Sequence, residues 1–442
     1  MKPTSLLVFA FCAGLPALAQ IPALTVTSAS GESSLTLYGV LDAGLARVDH
    51  TLGFEPNSSV AVNVQANAHG NTAAIGVLNG GLSGTRWGLK GGTTLGNGFK
   101  ALFDLESGIN LGEGTVSNGA IGLAQTTGLG TAQYTSLDSS LSGQLFGRAA
   151  FFGVASDRFG TLTIGRQQSL FFDVLPGYEA LGLAQMFTPL GFSGSYLGGG
   201  ETDSIRVDNA LKYRIQIAQF TVALQHKFGG VTGDANAKTS DQAMVNYESG
   251  PFGVTLGYEG FKDTTVTANG AASAPGTVAV SFYDTVAYTL AARYQVGKLA
   301  IKGGYEKEEI TNPSDPAGDA STTSIYGQVV SAVNVHPMTI NGSPVQKNVN
   351  VFWIGAGYDV TPRFNVAYGY YQLAQQNFQN GGSTAGDASG KSKFDSILLD
   401  YKFTKSFDTY AGYMVNVVSG GLAAGYVYPN NSIIGVGARY FF

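Results

Sequence analysis

Hydrophobic and polar residues alternate along most of this chain, in segments of about ten residues. Residues 252–259, FGVTLGYE, place Phe, Val, Leu and Tyr on one face and Gly, Thr, Gly and Glu on the other. Residues 364–370, FNVAYGY, alternate in the same way. Since successive side chains of a strand point to opposite faces of its sheet, this period predicts β-strands with one apolar face. Antiparallel soluble sheets share this pattern, so alternation alone does not establish a membrane protein.

Aromatic residues mark one end of these segments. Seven short turns separate pairs of segments, and six of them are followed at once by phenylalanine. These phenylalanines are Phe99, Phe159, Phe220, Phe252, Phe364 and Phe407, and Leu299 follows the seventh turn. An aromatic girdle at one membrane interface requires this placement, and a soluble sandwich has no reason to mark one end only.

The count of segments predicts the fold class. Seven hairpins supply fourteen strands, and residues 35–47 and 432–442 add one at each end of the chain. We therefore predict an all-β fold, a 16-stranded antiparallel transmembrane β-barrel with short periplasmic turns and long extracellular loops. The loops predicted on the outer side are 48–83, 107–143, 167–205, 262–282, 310–348 and 374–391.

The N-terminus has the features of a secretory signal peptide. Lys2 supplies the positive charge, residues 6–15 form an apolar run, and residues 17–19 (ALA) form a cleavage site. We expect cleavage after Ala19, with a site near Ser30 as the alternative because residues 21–32 have neither strand nor core pattern. The predicted divisions are a signal peptide at 1–19, an extension at 20–34 and a single barrel domain at 35–442, with 167–205 as its constriction loop.

Composition narrows the class further. Charged residues make up only 12% of the chain and 62 residues are glycine, which argues against a charged helical enzyme. The only cysteine, Cys12, lies inside the predicted signal peptide, so the mature chain has none for disulfides. No other apolar run is long enough for a transmembrane helix. A net charge of -5 offers nucleic acid little to bind, and we expect no such partner.

Several segments together resemble the Gram-negative general porins, most of all the betaproteobacterial kind. The resemblance covers residues 35–442, and its markers lie in order and at barrel spacing. They are LTLYGVLD at 35–42, RWGLKG at 86–91, FKALFDLESG at 99–108, FGTLTIGRQ at 159–167, RVDNALKY at 206–213 and ARYFF at 438–442.

The resemblance implies a function and partners. It implies a water-filled outer-membrane channel for passive diffusion of small hydrophilic solutes and ions, with no cofactor. It also implies a homotrimer, contact with outer-membrane lipid and lipopolysaccharide, a third loop folded inward, and a terminal Phe442 read by the barrel-assembly machinery. Small outward residues of the early strands, Gly39, Ala43 and Gly91, are compatible with close packing of protomers.

Charged residues of the expected lumen are the candidate site. The resemblance matches Arg86, Arg148 and Arg206 to the family's basic wall, and Asp173 and Glu179 to its acidic loop residues. Alternation independently turns Arg86 and Lys90 inward, because Trp87, Leu89 and Gly91 then face lipid. Further charges expected to face the lumen are Asp42, Lys100, Arg166, Lys212, Lys302 and Arg439. This basic excess predicts a weak preference for anions, although the arginines could instead pair with wall carboxylates and stiffen the lumen.

Other functions remain as alternatives. A substrate-specific channel would differ from a general one only in a few side chains and in loop shape. A barrel hydrolase would need a histidine base beside a nucleophile or carboxylate, and the chain has only four histidines, of which His50, His69 and His336 lie in predicted loops. An adhesin would need a plugged lumen. Asp315 with Asp319, or Asp263 with Asp284, could bind a divalent ion in a loop, without the spacing of a calcium motif.

Overall fold

The computed structural model describes residues 24–50, 73–111, 114–116, 145–189, 206–267, 277–325, 328–336, 338–340, 343–378, 389–423 and 427–442. The predictions for the signal peptide, for His69 and for residues 190–205 lie outside these ranges. No helix among the described residues is long and apolar enough to cross a membrane.

Sixteen antiparallel strands form a closed barrel, which confirms the predicted fold class. We number them in chain order. They are β1 Ser33–Val48, β2 Arg86–Gly96, β3 Phe99–Asn110, β4 Ala149–Ser156, β5 Gly160–Gln168, β6 Arg206–Ile217, β7 Phe220–Lys227, β8 Ser240–Ser249, β9 Phe252–Thr267, β10 Thr277–Val296, β11 Leu299–Thr311, β12 Lys347–Thr361, β13 Phe364–Gln375, β14 Gly390–Lys402, β15 Phe407–Gly420 and β16 Asn430–Phe441.

The barrel closes between its first and last strands. Residues 40–48 of β1 pair with residues 433–441 of β16. All seven predicted short turns connect neighbouring strands, for example at Val296↔Leu299 and Ser249↔Phe252. Aromatic rings meet at this rim, as in the Phe99–Phe159 stack with centroids 5.9 Å apart. Large apolar side chains such as Leu256 and Phe152 are exposed on the outer face, as a lipid-facing surface requires.

Shorter elements extend or line this wall. The strand Ala74–Asn79 pairs with the upper half of β1. Among the described residues, two short helices are α1, Leu170–Val174, and α2, Pro316–Ala320, and 3-10 turns lie at Leu175–Gly177 and Gly421–Ala423. The remaining short strands are Leu24–Thr27, Thr115–Val116, Ser324–Ile325, Gln328–Asn334, Thr339–Ile340 and Ser343–Pro344.

Several segments expected to be unpaired form strands, among them Ala74–Asn79 in the predicted loop 48–83, and two further examples extend the ladders of the wall. Residues 21–32 contain the strand Leu24–Thr27, which pairs with residues 34–37 of β1. The predicted loop 262–282 is partly strand, because β9 and β10 pair as far as Thr267↔Val280. In both cases neighbouring backbone supplies hydrogen-bond partners, although the side-chain pattern is weak.

Candidate functional site

The loop after β5 enters the barrel, as predicted. Ser169 caps α1 by accepting a 3.3 Å hydrogen bond from the Phe172 amide. Residues 169–189, which we call loop 3, then contact the inner wall. Phe171, Leu175 and Phe187 are fully buried in one cluster with inward residues such as Trp353 and Met414. Loop 3 therefore has an apolar face packed on the wall, which fixes it inside the lumen.

Inward-facing glycines receive the side chains of loop 3. A Cβ atom added at Gly412 would lie 2.7 Å from the Phe187 ring. The wall glycines that are similarly close to loop 3 side chains are Gly257 at Phe171, Gly355 at Ala180, Gly369 at Leu181 and Gly435 at Met186. These glycines lie on five different strands, so the loop is seated along a large part of the inner wall.

Glu179 is an anchor of loop 3 and not an exposed acidic lining residue. Its carboxylate is fully buried. It accepts hydrogen bonds from the amides of Leu181, at 3.0 Å, and Leu183, at 2.7 Å, and from the Tyr371 hydroxyl. Lys302 donates to the Glu179 main-chain carbonyl at 2.9 Å. The expectation that Glu179 faces passing ions is therefore wrong, because these donors occupy the carboxylate.

Asp173 occupies α1 and forms an ion pair with the wall. Its Oδ2 lies 2.6 Å from the Nζ of Lys212 on β6. Lys212 also donates to the carbonyl of Gln168 at 2.7 Å. The structure thus brings together two of the predicted site residues, but as a bond between the loop and its own side of the wall.

The three predicted arginines surround one carboxylate, Glu106 of β3. Arg148 Nε lies 2.7 Å from Glu106 Oε1, and Arg86 Nε lies 3.2 Å from Oε2. Arg206 interacts electrostatically with the same carboxylate, and its guanidinium lies 4.8 Å from the centre of the Phe172 ring on α1. Asp104 and Lys90 belong to the same electrostatic group, so four basic side chains face two carboxylates and leave an excess of positive charge.

The other basic residues are also placed at the inner face. Lys90 lies over the Tyr38 ring at 4.7 Å. Lys100 lies an even number of residues from Asp104 and Glu106 on β3, so it shares their inward face. Arg166 pairs with Asp208 and donates to the Gly147 carbonyl at 2.7 Å, and Arg439 pairs with Asp408 through its Nε and Nη2 atoms.

Asp42 faces inward as predicted, but its carboxylate is buried. It accepts hydrogen bonds from the amides of Gly81, Leu82 and Ser83 and from the hydroxyl of Tyr410, at distances from 2.6 to 3.0 Å. It is therefore not an accessible lumen charge. A single sequence gives no sign of this role, because the amide donors belong to a segment about 40 residues away.

Several inward carboxylates are withdrawn from the channel surface. Glu259, Glu306 and Glu308 face inward on β9 and β11, and all three are fully buried, like Glu179. On the opposite wall Lys90 is exposed, and the Arg86 side chain keeps 20% of its accessible surface. Burial of these four carboxylates removes negative charge from the channel surface and leaves the cations of β2 and β3 in contact with it.

Phe442 completes the closure of the barrel. Its amide and carbonyl both bond to Gly39 on β1, at 3.2 and 2.9 Å. A Cβ atom at Gly39 would collide with the Phe442 ring, and one at Gly91 would lie 2.9 Å from the Phe103 ring. Aromatic rings of the same chain therefore fill two of the small outward positions that had been matched to protomer packing.

The loop aspartates also come together. Asp263 accepts from the Asp315 amide at 2.9 Å, and the Asp263 amide donates to Asp284 at 2.8 Å. Asp319 is buried, with Lys238 Nζ 3.6 Å away. Among the described residues, no group of three or more histidines, cysteines or carboxylates is arranged to hold a metal ion.

Sequence reasoning missed several residues of this site. Glu106 and Asp104 alternate with apolar positions in FKALFDLESG, so period two could have found them. Tyr371 and Trp353 contact loop 3, Trp353 by donating to the Tyr178 carbonyl at 3.0 Å. Their aromatic character predicted only strand or membrane interface, since the loop that covers them is distant in sequence.

A closed barrel with an apolar outer face and a charged lumen, narrowed by its own loop, defines a channel of the bacterial outer membrane. The chain belongs to the Gram-negative porin family, whose sequence profile matches residues 5–421. It is accordingly an outer-membrane diffusion channel, and this family consists of channels rather than enzymes.

Individual relatives agree with this assignment. An outer membrane porin of Bordetella pertussis is 26% identical over 402 residues, which cover 81% of this chain and 94% of that protein. The fold is similar to that of the anion-selective porin from Comamonas acidovorans, with a TM-score of 0.62, 19% identity and coverage of 93% and 100% of the two chains. OmpT of Vibrio cholerae in its trimer form has a TM-score of 0.58 at 16% identity, with coverage of 93% and 100%.

Proposed function

We propose that this porin conducts small anions in preference to cations. The observation that carries the proposal is the arrangement of three arginines around Glu106, combined with full burial of four inward carboxylates, those of Glu179, Glu259, Glu306 and Glu308. Passing ions respond to charges that reach the water, and Arg86 and Lys90 supply positive charge there. The Comamonas neighbour is anion-selective by name, which supports the same direction.

Reversal potential under a salt gradient tests this preference. Purified protein in a planar bilayer should show a reversal potential whose sign indicates anion preference, and Arg86→Ala should reduce its magnitude. Arg158→Ala removes a charge of the same sign from a short turn outside the lumen and should change nothing. A reversal potential of the wild-type protein that indicates cation preference would overturn the proposal. A current that saturates with one solute would favour the second candidate, a substrate-specific channel.

We also propose a homotrimer in contact with outer-membrane lipid and lipopolysaccharide, with Phe442 recognised by the barrel-assembly machinery. The trimer form of the Vibrio neighbour supports the oligomer, and the position of Phe442 at the closing seam is compatible with a role in assembly. Native electrophoresis tests the trimer, and loss of outer-membrane insertion on deletion of Phe442 tests the assembly signal.

We also propose that the signal peptide is cleaved after Ala19. Cleavage near Ser30 would remove the strand Leu24–Thr27, which bonds to β1 below the end of β16. The exposed Leu24 and Val26 of this strand pair with Leu37 and Leu35 on the lipid-facing side. The mass of the mature protein distinguishes the two sites.

A further inference from the structure

The wall of the barrel is interrupted between the strand Ala74–Asn79 and β2. Asn79 pairs with Ala43, and Arg86 pairs with Val40. The backbone from Asn79 to Arg86 therefore advances seven positions while the paired backbone of β1 advances three, which leaves an excess of four residues. An excess of this size cannot stay in the plane of the sheet, so residues 80–85 bulge out of the ladder.

This segment bulges into the lumen. The Gly81 amide bonds to Asp42, and Arg439 Nη1 donates to the Ser83 hydroxyl at 3.0 Å. A Cβ atom at Gly81 would collide with Tyr410, which faces inward from β15. Leu82 is buried in the same cluster as the side chains of loop 3.

The Asp42 side chain holds residues 80–85 in place by accepting hydrogen bonds. Both carboxylate oxygens accept, one from Gly81 and Tyr410 and the other from Leu82 and Ser83. The Asp42 main chain bonds at both ends of the segment, since its carbonyl accepts from the Gly80 amide at 2.9 Å and its amide donates to Thr85 Oγ1 at 3.0 Å. An ionised carboxylate suits this site because all of its neighbours are donors and an ionised carboxylate only accepts hydrogen bonds.

The segment touches both parts of the constriction. The Met186 amide of loop 3 donates to the Gly81 carbonyl at 2.7 Å. Arg86 Nη1 donates to the Gly84 carbonyl at 2.9 Å, and a Cβ atom at Gly84 would lie 2.9 Å from Arg148 Nη1. The same six residues thus contact the end of loop 3 and two of the arginines that surround Glu106.

We propose that residues 80–85 form a second constriction element, held in the lumen by Asp42, that braces the end of loop 3 and positions Arg86 and Arg148. Asp42 acts as a positioning residue, because its carboxylate contacts the segment and not the passing ions. The proposal rests on the channel function proposed above.

Deletion of residues 81–84 is the direct test. Removing four residues preserves the alternation of side chains, so Gly80 would pair with Asp42 and Thr85 with Leu41 in an uninterrupted strand. Single-channel conductance should rise by roughly 1.5-fold, because the lumen loses an inserted segment, and the anion reversal potential should fall. A folded, heat-modifiable deletion variant with wild-type conductance and reversal potential would overturn the proposal.

Asp42→Asn provides a second variant in case the deletion variant does not assemble. The asparagine amide would place donors against backbone donors, so the segment should loosen, with greater open-channel current noise and a lower anion reversal potential. Asp359→Asn is the charge-matched control, because Asp359 lies on β12 and bonds to Asn365 away from the segment. Equal effects of the two substitutions, or none from Asp42→Asn, would contradict the proposal. Absence of conductance in the wild type would instead refute the channel function itself.

Discussion

Removing the carboxylate of Glu179 should loosen loop 3 without changing ion selectivity. The carboxylate is fully buried and bonds to two loop amides and to the Tyr371 hydroxyl. A hydrogen bond to a charged group contributes about 1.5–3 kcal/mol. Taking about 2 kcal/mol for the loss of the Tyr371 bond, the ratio of displaced to docked loop should rise roughly 30-fold.

Single-channel recording measures both consequences. Glu179→Gln should place an NH2 donor against the loop amides that now donate to the carboxylate, and Tyr371→Phe should remove the hydroxyl donor, so each should increase brief closures and open-channel noise. The double variant should show less than the sum of the two effects, because both substitutions act on one group of hydrogen bonds. Tyr370→Phe is the matched control, since Tyr370 lies on the opposite, outward face of β13. One result would refute this reasoning: a Glu179→Gln channel with unchanged noise, whose reversal potential shifts as far as that of Arg86→Ala but in the opposite direction. Glu179 would then be a residue that lines the channel.

Three further predictions concern other contacts. Gly412→Ala should displace Phe187 and alter conductance, because its Cβ would lie 2.7 Å from the Phe187 ring, whereas Gly357→Ala should not, because an added Cβ there has no heavy atom closer than 3.8 Å. Gly39→Ala should destabilise the closing seam by about 1–3 kcal/mol, seen as a lower temperature of heat modification on electrophoresis. Burial and the Asp263 carboxylate raise the pKa of Asp319 to about 8, so the packing of α2 should weaken as pH rises towards that value. Hydrogen exchange of residues 314–322, expressed as protection factors that remove the intrinsic pH dependence of amide exchange, should show weaker protection at pH 9 than at pH 6, and Asp319→Asn should abolish this difference.

The strands and turns of the barrel could be predicted from sequence because their cause is local. Lipid on one face and water on the other impose a period of two, and aromatic residues mark the rim of short turns. Residues 99–108 show how far this reaches, since their alternation correctly turns Lys100 inward and could also have identified Glu106.

The interior of the lumen could not be predicted in this way. Whether Glu179 faces water or backbone depends on Tyr371, which is 192 positions away. Asp42 satisfies the pattern of an inward charge, but its environment is created by residues 81–83 and by Tyr410. Period two reports which face a side chain occupies, and it carries no information about which loop covers that face.

Conductance of the purified wild-type protein in a planar bilayer tests the central claim most directly. An open, water-filled channel predicts discrete current steps that increase linearly with salt concentration and do not saturate. Folded, heat-modifiable protein that inserts without conducting would contradict the account, because loop 3 and residues 80–85 would then close the lumen and not merely narrow it.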